Sequence, residues 1–146
     1  MSRPYVSLQL RRLVASRADY LCEYCLIPEA DSLGCEIDHI ISVKHGGLTT
    51  EDNLAYACVF CNLHKGSDLG SINWQTGELV RFFNPRRDFW GTHFRLDEAV
   101  IQTLTDIGEV TARIFDFNNE DRILERQALI ALGRYPSEAA LRRMTK

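Results

Sequence analysis

The sequence predicts an α+β chain: a short strand-and-helix module held by four cysteines, with helical segments before and after it. Three observations predict this. Two close cysteine pairs, Cys22/Cys25 and Cys58/Cys61, flank the Ile-rich stretch "CEIDHIIS". Ahead of the first pair, Leu10, Leu13, Val14, Ala18 and Leu21 recur at helical spacing. Toward the other end, helical patterns are punctuated by Gly133 and Pro136, residues that end helices.

Each element follows in order. Residues 7–21 read as a helix with Ser7 as its cap. Residues 35–41 read as a strand, followed by the turn signal Gly46-Gly47. "LAYACVF" suits a second short strand or turn, and "CNLHKGSDLGS" a short helix starting at the second cysteine pair. In "INWQTGELVRFF" the turn falls at Thr76-Gly77. "NPRRDFWGTHF" is irregular and dense in arginine and aromatics. Strands "THFRL" and "AVIQTLT" then turn about Asp97-Glu98. Helices are expected over 106–117, 120–132 and 137–144. In the second of these, Ile123, Leu124, Ala128, Leu129 and Leu132 form an apolar stripe expected to face the core. With no internal repeat and no low-complexity linker, residues 1–146 read as a single domain. Its cysteine module covers about 20–70, and 71–146 is an integral extension.

Composition narrows the function. Hydrophobic residues make up 45%, ordinary for a soluble globular chain. No apolar run approaches the ~20 residues that cross a bilayer. The first twelve residues, "MSRPYVSLQLRR", lack the apolar region of a secretory signal, so a cytoplasmic location and no membrane partner are expected. A net charge of −3 argues against a whole-body electrostatic grip on nucleic acid, but leaves room for a local basic patch. In a reducing compartment the five cysteines should not form disulfides.

Two residues between cysteines let both thiolates turn toward one point, and four thiolates suit tetrahedral Zn²⁺. Cys22, Cys25, Cys58 and Cys61 are therefore the expected ligands, and Cys35 a packed thiol outside the set. A fully thiolate-ligated zinc has no open position, so its role is structural. The competing readings are cysteines buried as small hydrophobes and a redox pair, for which the surrounding βαβ pattern is missing.

Between the pairs lie Asp38 and His39, lodged between Ile37 and Ile40-Ile41, then Asn53, then Asn62 directly after Cys61. Burying adjacent polar groups in a strand costs free energy unless each has a partner. "DHI…GG…EDNLAYACVFCNLHKG" resembles the HNH nuclease motif in its zinc-stabilised, ββα-metal form. The resemblance covers about residues 20–70. It puts the three named positions on His39, Asn53 and Asn62, an H-N-N variant in which Asn62 stands where many relatives have histidine. It implies a nuclease that leaves 5′-phosphate and 3′-hydroxyl ends, with Asn53 bracing the loop and orienting His39 instead of binding metal.

The residues suit that chemistry. His39 can take a proton from water near neutral pH. Asp38 and the Asn62 side-chain oxygen can hold one hard divalent cation, Mg²⁺ or Mn²⁺. Such a cation relieves charge on the phosphoryl group and steadies the leaving 3′ oxygen. Neighbours in a regular strand point to opposite faces, so Asp38 and His39 converge only if the strand ends or twists there. Among accessory residues, Lys65 stands one helical turn beyond Asn62 and could meet a phosphate, as could His64. Arg81, Arg86 and Arg87 with Phe89 and Trp90 could form a basic strip with stacking surfaces for DNA. His45 and His93 read as loop and structural residues. The expected function is thus a metal-dependent DNA endonuclease, with a dimer as one way to make two cuts. The rivals are an inactive zinc-built nucleic-acid-binding module and a purely structural zinc protein.

Overall fold

The structure is a computed structural model and describes residues 4–146. Helix α1 spans Leu8–Arg17, and the Ser7 hydroxyl accepts from the Leu10 N–H at 3.1 Å. It stops short of the expected Leu21 because Asp19 and Tyr20 take φ of 54° and 56°. A right-handed helix cannot continue through that left-handed conformation. The turn sends Leu21 back to pair with Pro28, which closes the loop bearing the first cysteine pair.

Strands β1 (Cys35–His39) and β2 (Leu54–Cys58) pair antiparallel, with Cys35 opposite Cys58 and His39 opposite Leu54. The chain then enters α2 (Val59–Lys65). This register brings the second cysteine pair beside the start of β1, and puts His39 at the strand's end. β1 is shorter than the expected 35–41: Ile40 N–H still bonds the Asn53 carbonyl, but Ile41 N–H turns to the Asn53 side chain.

Two further hairpins follow. β3 (Gly70–Ile72) pairs with β4 (Leu79–Arg81) around the expected Thr76-Gly77 turn, where Gly77 has φ of 75°. After α3 (Trp90–His93), β5 (Phe94–Asp97) pairs with β6 (Val100–Thr103) across Glu98. The last three helices are α4 (Asp106–Ile114), α5 (Glu120–Ala131) and α6 (Glu138–Met144). Thr105, Asn119 and Ser137 cap them in turn. Among the described residues no helix is long and apolar enough to cross a membrane.

One buried cluster runs from the cysteine module into the extension. Its centre is aromatic: Tyr24 meets Phe115 at 4.9 Å between ring centroids, and Phe94 meets Trp90 at 5.1 Å and Phe117 at 5.6 Å. α5 does not present the expected apolar stripe to this core. Leu124, Ala128 and Leu132 are exposed, and the buried face is Arg122, Arg126 and Leu129. Polar groups meet part of the donor capacity of these buried arginines, although Arg122 Nε and Nη1 and Arg126 Nη1 have no hydrogen-bond partner among the described residues. Arg126 donates to the Ala99 and Phe117 carbonyls and the Asn118 side chain, and Arg122 turns to the cysteines described next.

Candidate functional site

The Sγ atoms of Cys22, Cys25, Cys58 and Cys61 lie within 4.8 Å of one another, and all four side chains are buried. Cys25 and Cys58 Sγ are 3.8 Å apart. Four sulfurs held tetrahedrally at ~2.3 Å from zinc stand ~3.8 Å from each other, so the cluster fits that ion. Within each pair the second residue's N–H points at the first sulfur, Cys25 to Cys22 and Cys61 to Cys58, both at 3.5 Å. Cys35 lies outside the cluster, half-buried and unbridged, with its thiol pushed up by burial.

The extension grips this knot. Arg122 Nη2 lies 3.3 Å from Cys25 Sγ and 3.9 Å from Cys58 Sγ, and its guanidinium covers the Phe60 ring. The Trp90 indole N–H donates to the Tyr24 carbonyl, and the Tyr135 hydroxyl to the Cys25 carbonyl. Arg122 was not singled out from sequence. Nothing at helical spacing distinguishes a buried arginine facing thiolates from one facing water.

The second feature is a cleft of about 730 Å³ along β1 and α2, lined by Glu36, Asp38, His39 and Asn62 among others. Asp38 and His39, neighbours on β1, are both among the residues that line the cleft. His39 is the last residue of the strand. Asp38 is buried; its Oδ2 accepts from the Tyr24 hydroxyl at 2.9 Å and its Oδ1 from Lys65 Nζ at 3.2 Å. Burial pushes its carboxyl up, and the neighbouring Lys65 charge opposes that. An ionised carboxylate offers about four acceptor positions, of which these two partners take two.

His39 is half-buried, and its Nε2 lies 2.9 Å from Thr49 Oγ1. Burial lowers its proton affinity, against a raising effect from Asp38. Asn62 donates from Nδ2 to Glu36 Oε2 at 2.6 Å, which joins the start of α2 to β1. Asn53 clamps the loop after His39: Oδ1 accepts from Ile41 N–H at 2.9 Å, while Nδ2 donates to the Ile41 and Leu48 carbonyls. Gly47 completes the closure, since a Cβ there would sit 1.6 Å from the Ile41 carbonyl oxygen.

Several accessory residues stand differently from their sequence expectation. Lys65 is turned inward, buried against Asp38 and the His39 carbonyl at 2.8 Å, because the last turn of α2 packs under β1. Arg86 is drawn into an ion pair with buried Glu23 and reaches the Leu54 carbonyl. Trp90 is core, and Arg81 is held bidentately by Asp88. His64 and His45 are exposed, as are Arg87 and Phe89. His93 is buried and hydrogen-bonded to Thr105 at 2.6 Å. Tyr24, Thr49 and Glu36 belong to the site and were missed. Only Glu36 carried a signal, since it stands two residues before Asp38 on the same strand face.

Comparison with known families agrees with this region: residues 22–68 match the family model of the HNH endonucleases. No curated protein and no solved structure matches the chain.

Proposed function

We propose that this chain is a metal-dependent endonuclease that hydrolyses phosphodiester bonds in DNA. The observation that supports the reading is the shared cleft: His39, Asp38 and Asn62 are all among its lining residues, and Asn53 ties down the loop beside them. Together with the family match over residues 22–68, these groups supply each part that phosphodiester hydrolysis needs.

In this reading His39 is the general base. Its half-buried ring favours the neutral form, which can accept a proton from the attacking water. Thr49 Oγ1 on Nε2 holds the ring's orientation; with Thr49 accepting from Nε2–H, Nδ1 is the nitrogen left to take the proton. Asp38 and the Asn62 side-chain oxygen hold Mg²⁺ or Mn²⁺, and bound there the cation supplies charge neutralisation at the phosphoryl and leaving oxygens. Tyr24 and Lys65 fix the Asp38 carboxylate in one orientation. Asn53 sets the position of the loop on which Thr49 lies. The four cysteines hold structural zinc, which can contribute ~10–16 kcal/mol of apparent binding free energy to folding. The extension folds with the module as one domain, and the protein acts in the cytoplasm.

A second reading has two contacts in its favour. Lys65 occupies Asp38 Oδ1, and the Asn62 amide faces Glu36. A chain that kept the scaffold and lost its cation would be an inactive zinc-built nucleic-acid-binding module. Supercoiled plasmid separates the two. Purified protein with Mg²⁺ or Mn²⁺ should give nicked or linear DNA, EDTA should stop it, and His39→Ala should abolish cutting while zinc content and fold persist. Cutting by the His39→Ala protein at the wild-type rate would remove His39 as the base.

A further inference from the structure

A second cleft, about 350 Å³, opens between the 84–90 loop and α6. Arg86, Arg87, Arg142, Arg143 and Lys146 line it, against three side-chain carboxylates, those of Asp19, Glu23 and Asp88. In a chain of net charge −3 this is a local reversal of sign. The carboxylates are already engaged. Glu23 pairs with Arg86, Asp19 with Arg143 at 2.8 Å, and Asp88 with Arg81, which lies outside the cleft. Arg87, Arg142 and Lys146 are left over. Among the described residues Arg87 and Lys146 have no ion-pair partner, and Arg142 has only a 3.9 Å contact with exposed Glu138.

The fold builds this surface from distant segments. Gly91 makes it possible: a Cβ there would lie 2.5 Å from the Met144 carbonyl oxygen and 2.7 Å from that of Lys146. Without that side chain the end of α6 packs directly against α3. Arg143 also donates to the Arg17 carbonyl at 2.9 Å, and Arg17 and Arg86 both reach the Leu54 carbonyl. Leu54 stands opposite His39 in the β1–β2 register. Arg86, which lines the cleft, thus links it to the strand paired with the one that carries the proposed base. Phe89, 60% exposed, offers a bare ring on its rim.

We propose that this cleft binds the phosphates of the nucleic-acid strand flanking the one cut beside His39, with Arg87, Arg142 and Lys146 as the contacts and Phe89 as a stacking face for a base. The proposal rests on the nuclease reading for its choice of partner. Unpaired cations beside an exposed aromatic ring suit a phosphodiester backbone with accessible bases, and position along the strand matters more than base identity.

The test uses the full zinc-loaded chain carrying His39→Ala, so that DNA survives. Its binding to a labelled single strand and a labelled duplex of arbitrary sequence is measured across a salt series. Arg87→Glu/Arg142→Glu should weaken binding at least about tenfold at low salt and flatten the log K against log salt slope by about 2, since each phosphate contact contributes ~0.9. Phe89→Ala should weaken the single strand more than the duplex. In the His39 background, the same double variant should hydrolyse bis(p-nitrophenyl) phosphate with Mn²⁺ at the wild-type rate, because that small ester needs only the first cleft. Unchanged affinity and slope in the double variant overturn the cleft as a DNA site, whatever the catalytic result. So does weakened binding to polyglutamate with no weakening on DNA. Absence of ester hydrolysis in wild type would instead count against the nuclease reading, and the binding series would still decide the cleft.

Discussion

The Lys65 ammonium lies 3.2 Å from Asp38 Oδ1, and both side chains are buried. A buried lysine on a proposed metal ligand puts two cations in competition for one carboxylate. Lys65 keeps Asp38 compensated when no divalent ion is present. It also weakens the negative field that would draw such an ion in. Phosphate oxygens from substrate would restore the missing negative charge, so metal and substrate are expected to bind more tightly together than apart.

Replacing Lys65 by Met tests this directly. Removing one partner of a buried pair costs about 3–5 kcal/mol, because the other charge is left uncompensated. The variant should unfold at markedly lower urea without divalent ions. Millimolar Mn²⁺ should then recover much of the loss, while stabilising the wild type little. Equal stabilisation of both proteins would mean that Lys65 and the metal do not compete for Asp38.

Arg122 gives a second expectation. Four thiolates around Zn²⁺ carry a net charge of about −2, and the Arg122 guanidinium, 3.3 Å from Cys25 Sγ, is the nearest compensation from the extension. Arg122→Met keeps the bulk of the side chain and removes the charge. Groups that hydrogen-bond to metal ligands typically contribute 10–100-fold to metal affinity. Chelator competition should show zinc held more weakly by about that factor, with Arg122→Lys in between. Identical zinc affinity in all three proteins would make Arg122 a packing residue only.

The cysteine knot and the hairpin-helix beside it could be read from sequence because metal ligation and strand alternation are local rules. Cys22, Cys25, Cys58 and Cys61 announce themselves by spacing, and the structure gathers all four. The capped helices and the Thr76-Gly77 turn were legible for the same reason. What escaped depends on long-range packing. The apolar residues of α5 suggested one buried face, yet Arg122 and Arg126 take it, because thiolates and carbonyls from distant segments provide acceptors. Lys65 and Arg86 read as outward cations, and both are drawn inward by the carboxylates Asp38 and Glu23. The Tyr24 contact with Asp38 joins residues on separate elements, and no short-range pattern encodes it.

Asn53 should matter more to rate than to stability. Its three side-chain bonds to Ile41 and Leu48 lie near solvent, where water can replace them. Asn53→Ala should therefore cost only ~1–2 kcal/mol of stability. Cleavage should fall far more, chiefly in kcat, because the loop holding Thr49 loosens. Hydrogen exchange over residues 41–49 should rise in step. Asn53→Asp keeps the acceptor for Ile41 N–H and loses both donors, so it should fall between. Loss of stability without any change in loop exchange would make Asn53 a general fold element and not a positioning residue.

The pH profile tests the role of His39. Catalysis in the proposed reading needs its neutral form, and burial is the largest influence on its proton affinity, which it lowers; Asp38 opposes this and Lys65 adds to it. A base whose pKa is lowered stays neutral further into acid. Activity should then be flat through pH 7 and fall only below the ordinary histidine value of ~6.5. The measurement is kcat/KM for bis(p-nitrophenyl) phosphate with Mn²⁺, which reports the free enzyme's titration without the salt sensitivity of DNA binding. His39→Ala should remove that acid limb along with most of the rate. A limb centred above pH 7 in the wild type would show that His39 is not held neutral by its surroundings, and the assignment of the base would fail with it.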